Sequence, residues 1–233
     1  MKAAVFGIPD FLFGKKALSD ERLDKLKDLY RSVKVTPIQV EFTTEKDLKI
    51  ADAVVCLDEK KIDLLILDME VVESKLERAE TEDEKKLLKR CQESLEKEIP
   101  LCEGDFSEEE KKWLANNNFV SVKPVVFIAK SEMEQFPALV KKVYAQAGRI
   151  SFLTGGVKES RGWEIRKGAT AVDAAHAIHS DIARGFIRAE VMSYDDLVKV
   201  GNVNQAKNEG FLRQEGKEYI VKDGDVMEFK FSV

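Results

Sequence analysis

TAVDAAHAIHSDIARGFIRAEVM, residues 170–192, reads as a short helix followed by a β-strand. Thr170 and Asp173 have the spacing of a capping box, in which each side chain accepts a hydrogen bond from the backbone N–H of the other residue. Apolar and polar residues alternate in GFIRAEVM, residues 185–192, as they do in a half-buried strand. The stretch therefore predicts one short capped helix that packs on a sheet.

The surrounding sequence supplies the other strands of this sheet. GRISFLTGG (148–156) and GWEIRKG (162–168) read as strands with turns, and KEYIVKDGDVMEFKFSV (217–233) reads as a strand, a turn at Asp223-Gly224 and a closing strand. One helix on a mixed sheet is a β-grasp, or ubiquitin-like, arrangement. Residues 149–233 are predicted to form a separate domain that is long enough to fold on its own.

The first third of the chain follows a different pattern, in which short apolar strands alternate with polar or helical stretches. The strands are KAAVF (2–6), IQVEF (38–42) and ADAVVCL (51–57), with KPVVFIA (123–129) further on. Strands that alternate with helices are typical of a parallel α/β layer. We assign residues 1–60 and 118–148 to a small layer of this kind.

Residues 61–117 form a charged helical block between these strands. Two apolar stripes at helical spacing run along it, one of Leu64, Leu65, Leu67, Val72, Leu76 and Ala79 and one of Leu87, Leu88, Cys91 and Leu95. Thr81 and Glu84 have capping-box spacing between the stripes, and Ser107 with Glu110 repeats that spacing later. The block is predicted to fold back as a helical hairpin, or coiled coil, with its Glu/Lys runs facing solvent.

Composition limits the class of protein. The 233 residues are 44% hydrophobic and 35% charged, which is typical of a soluble globular chain and not of a disordered or fibrous one. No apolar run approaches the roughly 20 residues that cross a bilayer, so we expect a cytoplasmic protein without membrane contact. The three cysteines form no C-x-x-C pair, and the two histidines lack a third ligand nearby, so neither a metal nor any other cofactor is predicted.

AVFGIPDFLFGKKALSD, residues 4–20, resembles a phosphate-binding loop but departs from its spacing. The motif G-x-x-x-x-G-K-[ST] places glycines where the backbone must curl around phosphates and a hydroxyl where it must reach the metal. Counted from Gly7, the second glycine comes two residues late, at Gly14, and is followed by Lys15. Lys16 stands where the hydroxyl residue belongs, so the loop is predicted to be degenerate.

The C-terminal pattern is specific enough to resemble a known family. Four segments resemble the TGS domain that ends the YchF (Obg-like) ATPases: IHSD (178–181), GFIRAEV (185–191), YDDL (194–197) and VKDGD (221–225). The helical block and KPVVFIA resemble the coiled-coil insertion of that family and the strand that follows it. The resemblance implies an α+β multidomain protein, with a degenerate P-loop-like α/β remnant, a helical-hairpin insertion and a C-terminal β-grasp TGS domain.

The nucleotide motifs of that family are replaced in this chain. Its D-x-x-G motif falls on Thr44–Asp47, which lacks both the aspartate that organises Mg²⁺ and the glycine that senses the γ-phosphate. Its N-x-x-E motif falls on Lys130–Met133, where both determinants are also absent. Because phosphoryl transfer depends on positioning and on charge stabilisation by lysine and metal, these losses argue against hydrolysis.

Local basic residues remain candidates for binding RNA or another partner. From Arg149 onward 13 basic and 13 acidic residues balance, so the formal charge of −5 belongs to the earlier part and any RNA contact must be local. The candidates are Arg161, Trp163, Arg166, Lys167, Arg184 and Arg188. Strands and turns in this pattern are expected to expose several of these basic residues on one side of the domain. A core role for Trp163 is the alternative.

The sequence as a whole favours a non-catalytic binding or regulatory protein. The resemblance implies a partner in translation, either the ribosome or RNA, and the helical hairpin offers a surface for a protein partner instead. Two alternatives remain open at this level. One is a nucleotide-binding hydrolase with a rearranged pocket, and the other is a sensor of a small ligand.

Overall fold

A computed structural model describes residues 1–232 of the chain, and these residues divide into two compact units. The first unit comprises Met1–Lys16 and Val40–Ala147. The second comprises Ala17–Gln39 and the segment from Gly148 onward. Each unit is therefore built from two separate segments of the chain.

The described residues form eleven strands and nine α-helices. Up to residue 147 they are β1 (Lys2–Phe6), β2 (Gly14–Ala17), α1 (Glu21–Tyr30), β3 (Lys34–Thr36), β4 (Gln39–Thr43), β5 (Ala53–Leu57), α2 (Lys61–Leu76), α3 (Glu82–Glu96), α4 (Glu108–Asn116), β6 (Val125–Ile128) and α5 (Phe136–Gln146). After it they are β7 (Arg149–Gly155), β8 (Glu159–Arg166), α6 (Ala171–Ile178), α7 (Ser180–Arg184), β9 (Phe186–Ser193), α8 (Tyr194–Val200), α9 (Val203–Asn208), β10 (Arg213–Glu215) and β11 (Asp225–Phe231).

The first unit contains the predicted parallel layer. Its sheet has the strand order β2-β4-β1-β5-β6, with β1 parallel to β4 and β5, and β5 parallel to β6. Leu64 of α2 shares a core with Val54 on one face. On the other face the ring of Phe42 lies 5.2 Å from Phe11 and 5.8 Å from Phe136 at the start of α5. Helices thus cover both faces, as parallel strands require.

The helical block packs as predicted and begins its helices at the predicted caps. Val72 of α2, Leu88 of α3 and Leu114 of α4 are fully buried in one core. The Thr81 hydroxyl accepts the N–H of Glu84 at 3.2 Å. Ser107 and Glu110 form a reciprocal capping box. These caps satisfy N–H groups that the first helical turn would otherwise leave unbonded.

A buried carboxylate fixes α2 to the segment that precedes β6. Asp68 is fully buried, and its two oxygens accept the N–H groups of Val120 at 2.6 Å and Ser121 at 2.7 Å. The Ser121 hydroxyl in turn accepts the N–H of Leu101 at 3.1 Å. Burial raises the pKa of Asp68 above its ordinary value, although the hydrogen bonds from Ser121 and Val120 oppose the shift.

The second unit is a six-stranded mixed sheet with helices on both faces. Its strand order is β10-β9-β11-β7-β8-β3, in which β11–β7 and β8–β3 are the parallel pairs. Phe152 and Leu153 are neighbours in β7 and are both fully buried, although successive side chains of a strand point to opposite faces. Phe152 packs with Ala175 of α6, and Leu153 packs with Leu26 of α1.

The contribution of α1 differs from what the sequence led us to expect. The predicted domain began at residue 149, yet Leu23 and Leu26 of α1 cover Met192 and Val226 on the second face of its sheet. Residues 34–36 also extend the sheet as β3, which pairs with β8. The amphipathic pattern of α1 shows that it buries one face, but it does not identify the partner of that face.

One predicted strand is wrong. Within KEYIV (217–221) the structure has only an isolated bridge from Ile220 to Thr170. The buried Asp225 carboxylate accepts the Tyr219 hydroxyl at 2.8 Å and the N–H of Lys222 at 2.9 Å. These two bonds hold the segment as a turn, so β11 begins only at Asp225.

Replacing Leu26 tests the role of α1 in the second unit. Leu26→Ala is expected to lower the free energy of unfolding by about 2–5 kcal/mol, because a fully buried leucine leaves a cavity. Urea denaturation followed by circular dichroism measures the change. Lys25→Ala, on the exposed side of the helix, is the control and should stay within about 0.5 kcal/mol. A fragment of residues 149–233 that unfolds as cooperatively as the full chain would contradict this role.

Replacing Asp68 tests the buried carboxylate. Asp68→Asn is expected to cost about 1–3 kcal/mol at pH 5, because one amide oxygen replaces two oxygens that accept backbone N–H groups.

The effect should depend on pH with a defined sign. A carboxyl group whose pKa is raised by folding contributes most below its ordinary value of 3.8 and loses that contribution as the pH rises through the raised pKa. The stability gap between wild type and Asp68→Asn should therefore narrow in urea titrations as the pH rises above 3.8. Glu73→Gln, on an exposed position of α2, should show no such trend. A gap that widens with pH would exclude this account.

Candidate functional site

The carboxyl ends of the parallel strands in the first unit form the place where an open α/β sheet usually binds a ligand. Gly7 follows β1 there, Thr44 follows β4, Asp58 follows β5 and Ala129 follows β6. The stretch that resembles a phosphate loop and the two stretches that align with the D-x-x-G and N-x-x-E motifs therefore begin at the same edge of the sheet.

Two side chains of the protein cover the backbone of Gly7. Its backbone has a left-handed φ of 67°, and its N–H donates to Glu45 Oε1 at 2.9 Å. The stem of Lys60 covers the other side, because a Cβ added at Gly7 would lie 2.8 Å from Lys60 Cγ. A carboxylate thus binds the backbone N–H that would face a phosphate in a working loop.

The remaining loop candidates lie in a strand instead of a phosphate loop. Gly14, Lys15 and Lys16 form most of β2, the edge strand beside β4. A working phosphate loop leads directly into a helix whose first N–H groups face the phosphates. Here β4 separates β2 from β1, and the Lys16 ammonium lies 5.6 Å from the centre of the Phe136 ring. The structure therefore does not bring these residues together with Gly7.

Charged residues at the replaced motifs are paired with residues of opposite charge that lie outside these motifs. Asp47 Oδ2 lies 3.8 Å from Lys2 Nζ. Lys130 Nζ lies 2.8 Å from Glu59 Oε1. The Lys142 ammonium donates to Glu132 at 2.7 Å and thereby lowers the pKa of that carboxyl group.

Lys60, which covers Gly7, also has its charge balanced locally. Its ammonium donates to Asp63 Oδ2 at 2.7 Å, and this bond raises the pKa of Lys60. Within residues 1–232, no three His, Cys, Asp or Glu side chains are placed to hold a metal ion.

In the second unit, Arg161 and Trp163 pack together on one face of β8. The Arg161 guanidinium lies 4.0 Å from the centre of the Trp163 ring, and the indole N–H donates to Thr154 Oγ1 at 2.9 Å. Phe152 stacks against the same indole at 6.2 Å with an 11° tilt. Trp163 is therefore largely a core residue, and Arg161 covers part of its ring.

The other basic candidates are spread over the sheet. Arg166 pairs in register with Arg149, whereas Arg161 pairs with Thr154, so about 17 Å of strand separates Arg161 from Arg166. Two strands, β11 and β7, lie between β8 and β9, which places Arg188 about 14 Å away across the sheet. The expected grouping on one side is wrong for these residues.

Ion pairing distinguishes the candidates further. Arg184 donates to Asp181 at 2.6 Å, and Arg188 lies 3.7 Å from Glu190. Arg166 and Lys167 are exposed and have no acidic partner among residues 1–232. They are therefore the most available cationic pair of the predicted set.

One histidine and two cysteines lie in surroundings that favour a structural role over a chemical one. His179 Nδ1 accepts the N–H of Asp181 at 3.1 Å and caps α7. Burial raises the pKa of the Cys56 and Cys91 thiols to about 12, so these thiols stay protonated and unreactive. No helix within residues 1–232 is both long and apolar enough to span a bilayer.

Comparison with known proteins identifies the family. Residues 149–232 match the family model YchF-GTPase_C, described as a protein of unknown function (DUF933). The ribosome-binding ATPase YchF of Bacillus subtilis is 30% identical over 237 residues, which cover 74% of this chain and 65% of that protein. Both of these matches are to the YchF/Obg-like ATPase family. The resemblance seen in the sequence is thus confirmed.

Other relatives match over shorter parts of the chain. The ribosome-binding ATPase YchF of Haemophilus influenzae is 48% identical over 95 residues, or 41% of this chain and 26% of that protein. Obg-like ATPase 1 of Oryza sativa is 40% identical over 126 residues, or 54% of this chain and 29% of that protein. The chain thus spans less than two thirds of the length of each of these three relatives.

The fold is also shared with a solved family member. The YchF GTPase of Schizosaccharomyces pombe superposes with a TM-score of 0.82 at 19% identity, covering 99% of this chain and 97% of that one. This likeness establishes a mixed α/β multidomain fold of the YchF type.

Glu45 and Lys60, which contact Gly7, are not among the site residues predicted from the sequence. Glu45 lies inside the quartet 44–47, which the sequence analysis interpreted only as the loss of a motif. The acidic side chain at position 45 was the sequence feature that could have indicated a hydrogen bond to a nearby backbone N–H. Lys60 carries no such signal, because a lysine at the start of a helix is usually an exposed charge.

Proposed function

We propose that this chain is a non-catalytic member of the YchF/Obg-like family, and that it binds the translation machinery without hydrolysing ATP or GTP. The observation that carries the proposal is the hydrogen bond from the Gly7 N–H to Glu45. A phosphate at this position would have to displace a carboxylate and the stem of Lys60. The phosphate would also face the negative charge of Glu45.

The charges around Gly7 support the same conclusion. A bound triphosphate needs unpaired cations and a metal to balance its charge. Lys60 is paired with Asp63, and Lys130 is paired with Glu59. Each cation would have to leave an acidic partner before it could bind a nucleotide.

The same reasoning suggests an assignment of the parts. Residues 1–60 and 118–148 are interpreted as a degenerate P-loop-like remnant, and residues 61–117 as its coiled-coil insertion. The segment from residue 149 onward is interpreted as a β-grasp TGS domain, here supported by α1 and β3. The helix α6 on a mixed sheet, with Thr170 and Asp173 in a capping box, supports that interpretation.

The proposed partner follows from the relatives. The proteins of Bacillus subtilis and Haemophilus influenzae are named ribosome-binding ATPases. We infer that ribosome binding is retained in this chain and nucleotide hydrolysis is not. Arg166 and Lys167 are the best candidates for contact with ribosomal RNA, because their charges are exposed and unpaired within residues 1–232.

Calorimetry tests the non-catalytic assignment. Titration of the full chain with Mg-ATP and with Mg-GTP is expected to release no heat of binding at micromolar nucleotide, because Glu45 and Lys60 cover Gly7. Measured hydrolysis should equal that of buffer. Micromolar affinity for either nucleotide would contradict the proposal and favour the hydrolase with a rearranged pocket.

Co-sedimentation with purified ribosomes tests the partner. The double variant Arg166→Glu, Lys167→Glu is expected to weaken binding about tenfold or more and to reduce the slope of log affinity against log salt by roughly 1–2, because two phosphate contacts are lost.

A matched double variant controls for the change in net charge. Lys25→Glu with Lys27→Glu makes the same change on exposed positions of α1, in the same unit, and should leave binding nearly unchanged. Equal loss in both variants would mean that only net charge matters. If binding depends neither on salt nor on either double variant, RNA contact through Arg166 and Lys167 is excluded.

A further inference from the structure

A groove between α3 and α4 is the strongest unassigned feature of the first unit. Its volume is about 360 Å³, at the small end of the range for ligand pockets. Its lining residues are Thr81, Asp83, Glu84, Leu87, Glu109, Glu110 and Trp113. The groove therefore combines an apolar floor with an acidic rim.

The apolar side chains at the floor of the groove are fixed by contacts with the rest of the helical block. Leu87 belongs to the buried core of the helical block, and Trp113 packs against that core. The Lys75 ammonium lies 5.3 Å from the centre of the Trp113 ring and donates to Asn117 Oδ1 at 2.7 Å. These contacts hold the indole in position, so the floor exists before any partner arrives.

The rim contains carboxylates that lack partners of their own. Neither Glu84 nor Glu109 forms a side-chain hydrogen bond or an ion pair within residues 1–232, whereas Glu110 is bound by Arg90 at 2.6 Å. Asp83 lies 3.8 Å from Lys86, and both of these side chains are largely exposed. Such an exposed pair contributes little and can exchange partners.

We propose that this groove binds a basic segment of a protein partner through arginine or lysine side chains. A long basic side chain has an aliphatic stem that would lie on Leu87 and Trp113, and a cationic head that would reach Glu84 and Glu109. The chemistry of the groove thus matches both parts of one side chain.

The surrounding charge selects protein over nucleic acid. Residues 61–117 contain 17 acidic and 10 basic residues, so the field of this block repels a phosphate backbone and attracts a cationic peptide. The inference does not rest on the proposed loss of nucleotide chemistry or on RNA contact by Arg166 and Lys167.

Calorimetry on the full chain tests the groove. The probe is a six-residue peptide of alternating arginine and leucine with blocked ends, and its counterpart has glutamate in place of arginine. The arginine peptide is expected to bind and the glutamate peptide is not. The double variant Glu84→Gln, Glu109→Gln should weaken binding about fivefold or more, because two ion pairs are lost.

The control makes the same change of charge on another surface. Glu73→Gln with Glu77→Gln replaces two exposed carboxylates near the end of α2, outside the groove, and should change affinity by less than about twofold. Equal weakening in both double variants would show only a diffuse attraction to the acidic block, which would overturn the proposal.

Two further results would also overturn it. If analytical ultracentrifugation shows a dimer that only Glu84→Gln, Glu109→Gln disrupts, the groove is filled by a second copy of the chain. If a single-stranded RNA oligomer displaces the arginine peptide, the groove is not selective for a protein segment. Circular dichroism of each variant confirms that the helices are retained.

Discussion

The hydrogen bonds of Asp68 hold the first unit together at the point where its helical block meets its sheet. The carboxylate is fully buried, and it binds the backbone of Val120 and Ser121 just before β6. A buried carboxylate without these partners would be strongly destabilising, by about 3–5 kcal/mol. The segment 120–121 is therefore tied to α2, and α3 and α4 build their core on a helix whose position is already fixed.

Carboxylates also bind backbone N–H groups at both ends of β1. Asp52 accepts the N–H of Lys2 at 2.8 Å where β1 begins, and Glu45 accepts the N–H of Gly7 where β1 ends. At Gly7 this bond is also the basis of the proposed loss of nucleotide binding. An anionic side chain supplied by the protein fills a position where related loops bind an anionic ligand, so the bond that stabilises the loop also opposes phosphate binding.

Much of the local structure could be predicted from the sequence, because caps and periodicity act over a few residues. Thr81, Ser107 and Thr170 begin their helices as their spacing indicated. Packing across long separations could not be predicted. Nothing local in Leu26 indicates that it meets Leu153, and nothing local in Asp68 indicates that it binds Val120. Helices and strands could therefore be predicted more reliably than the surfaces they bury.

For the candidate site, too, local features could be predicted from the sequence and long-range contacts could not. The departure of Gly7, Gly14 and Lys15 from the spacing of a phosphate loop could be read directly from the sequence, and a degenerate loop stays a prediction. The grouping of the basic residues could not be predicted in the same way. It depends on the strand register, because the pleat and the pairing with β7 decide which side chains share a surface. Arg161 and Arg166 are five residues apart, an odd number, so they point to opposite faces of β8 as well as lying far apart.

Charge separates the two proposed binding surfaces. The acidic groove at Trp113 lies in a block whose net charge is negative, whereas basic and acidic residues balance from Arg149 onward. Contacts with RNA phosphates release counterions and weaken steeply with salt, whereas a peptide held partly by Leu87 and Trp113 retains an apolar contribution that salt does not screen. A ribosome presents both RNA and basic protein segments, so one particle can satisfy two surfaces of opposite preference.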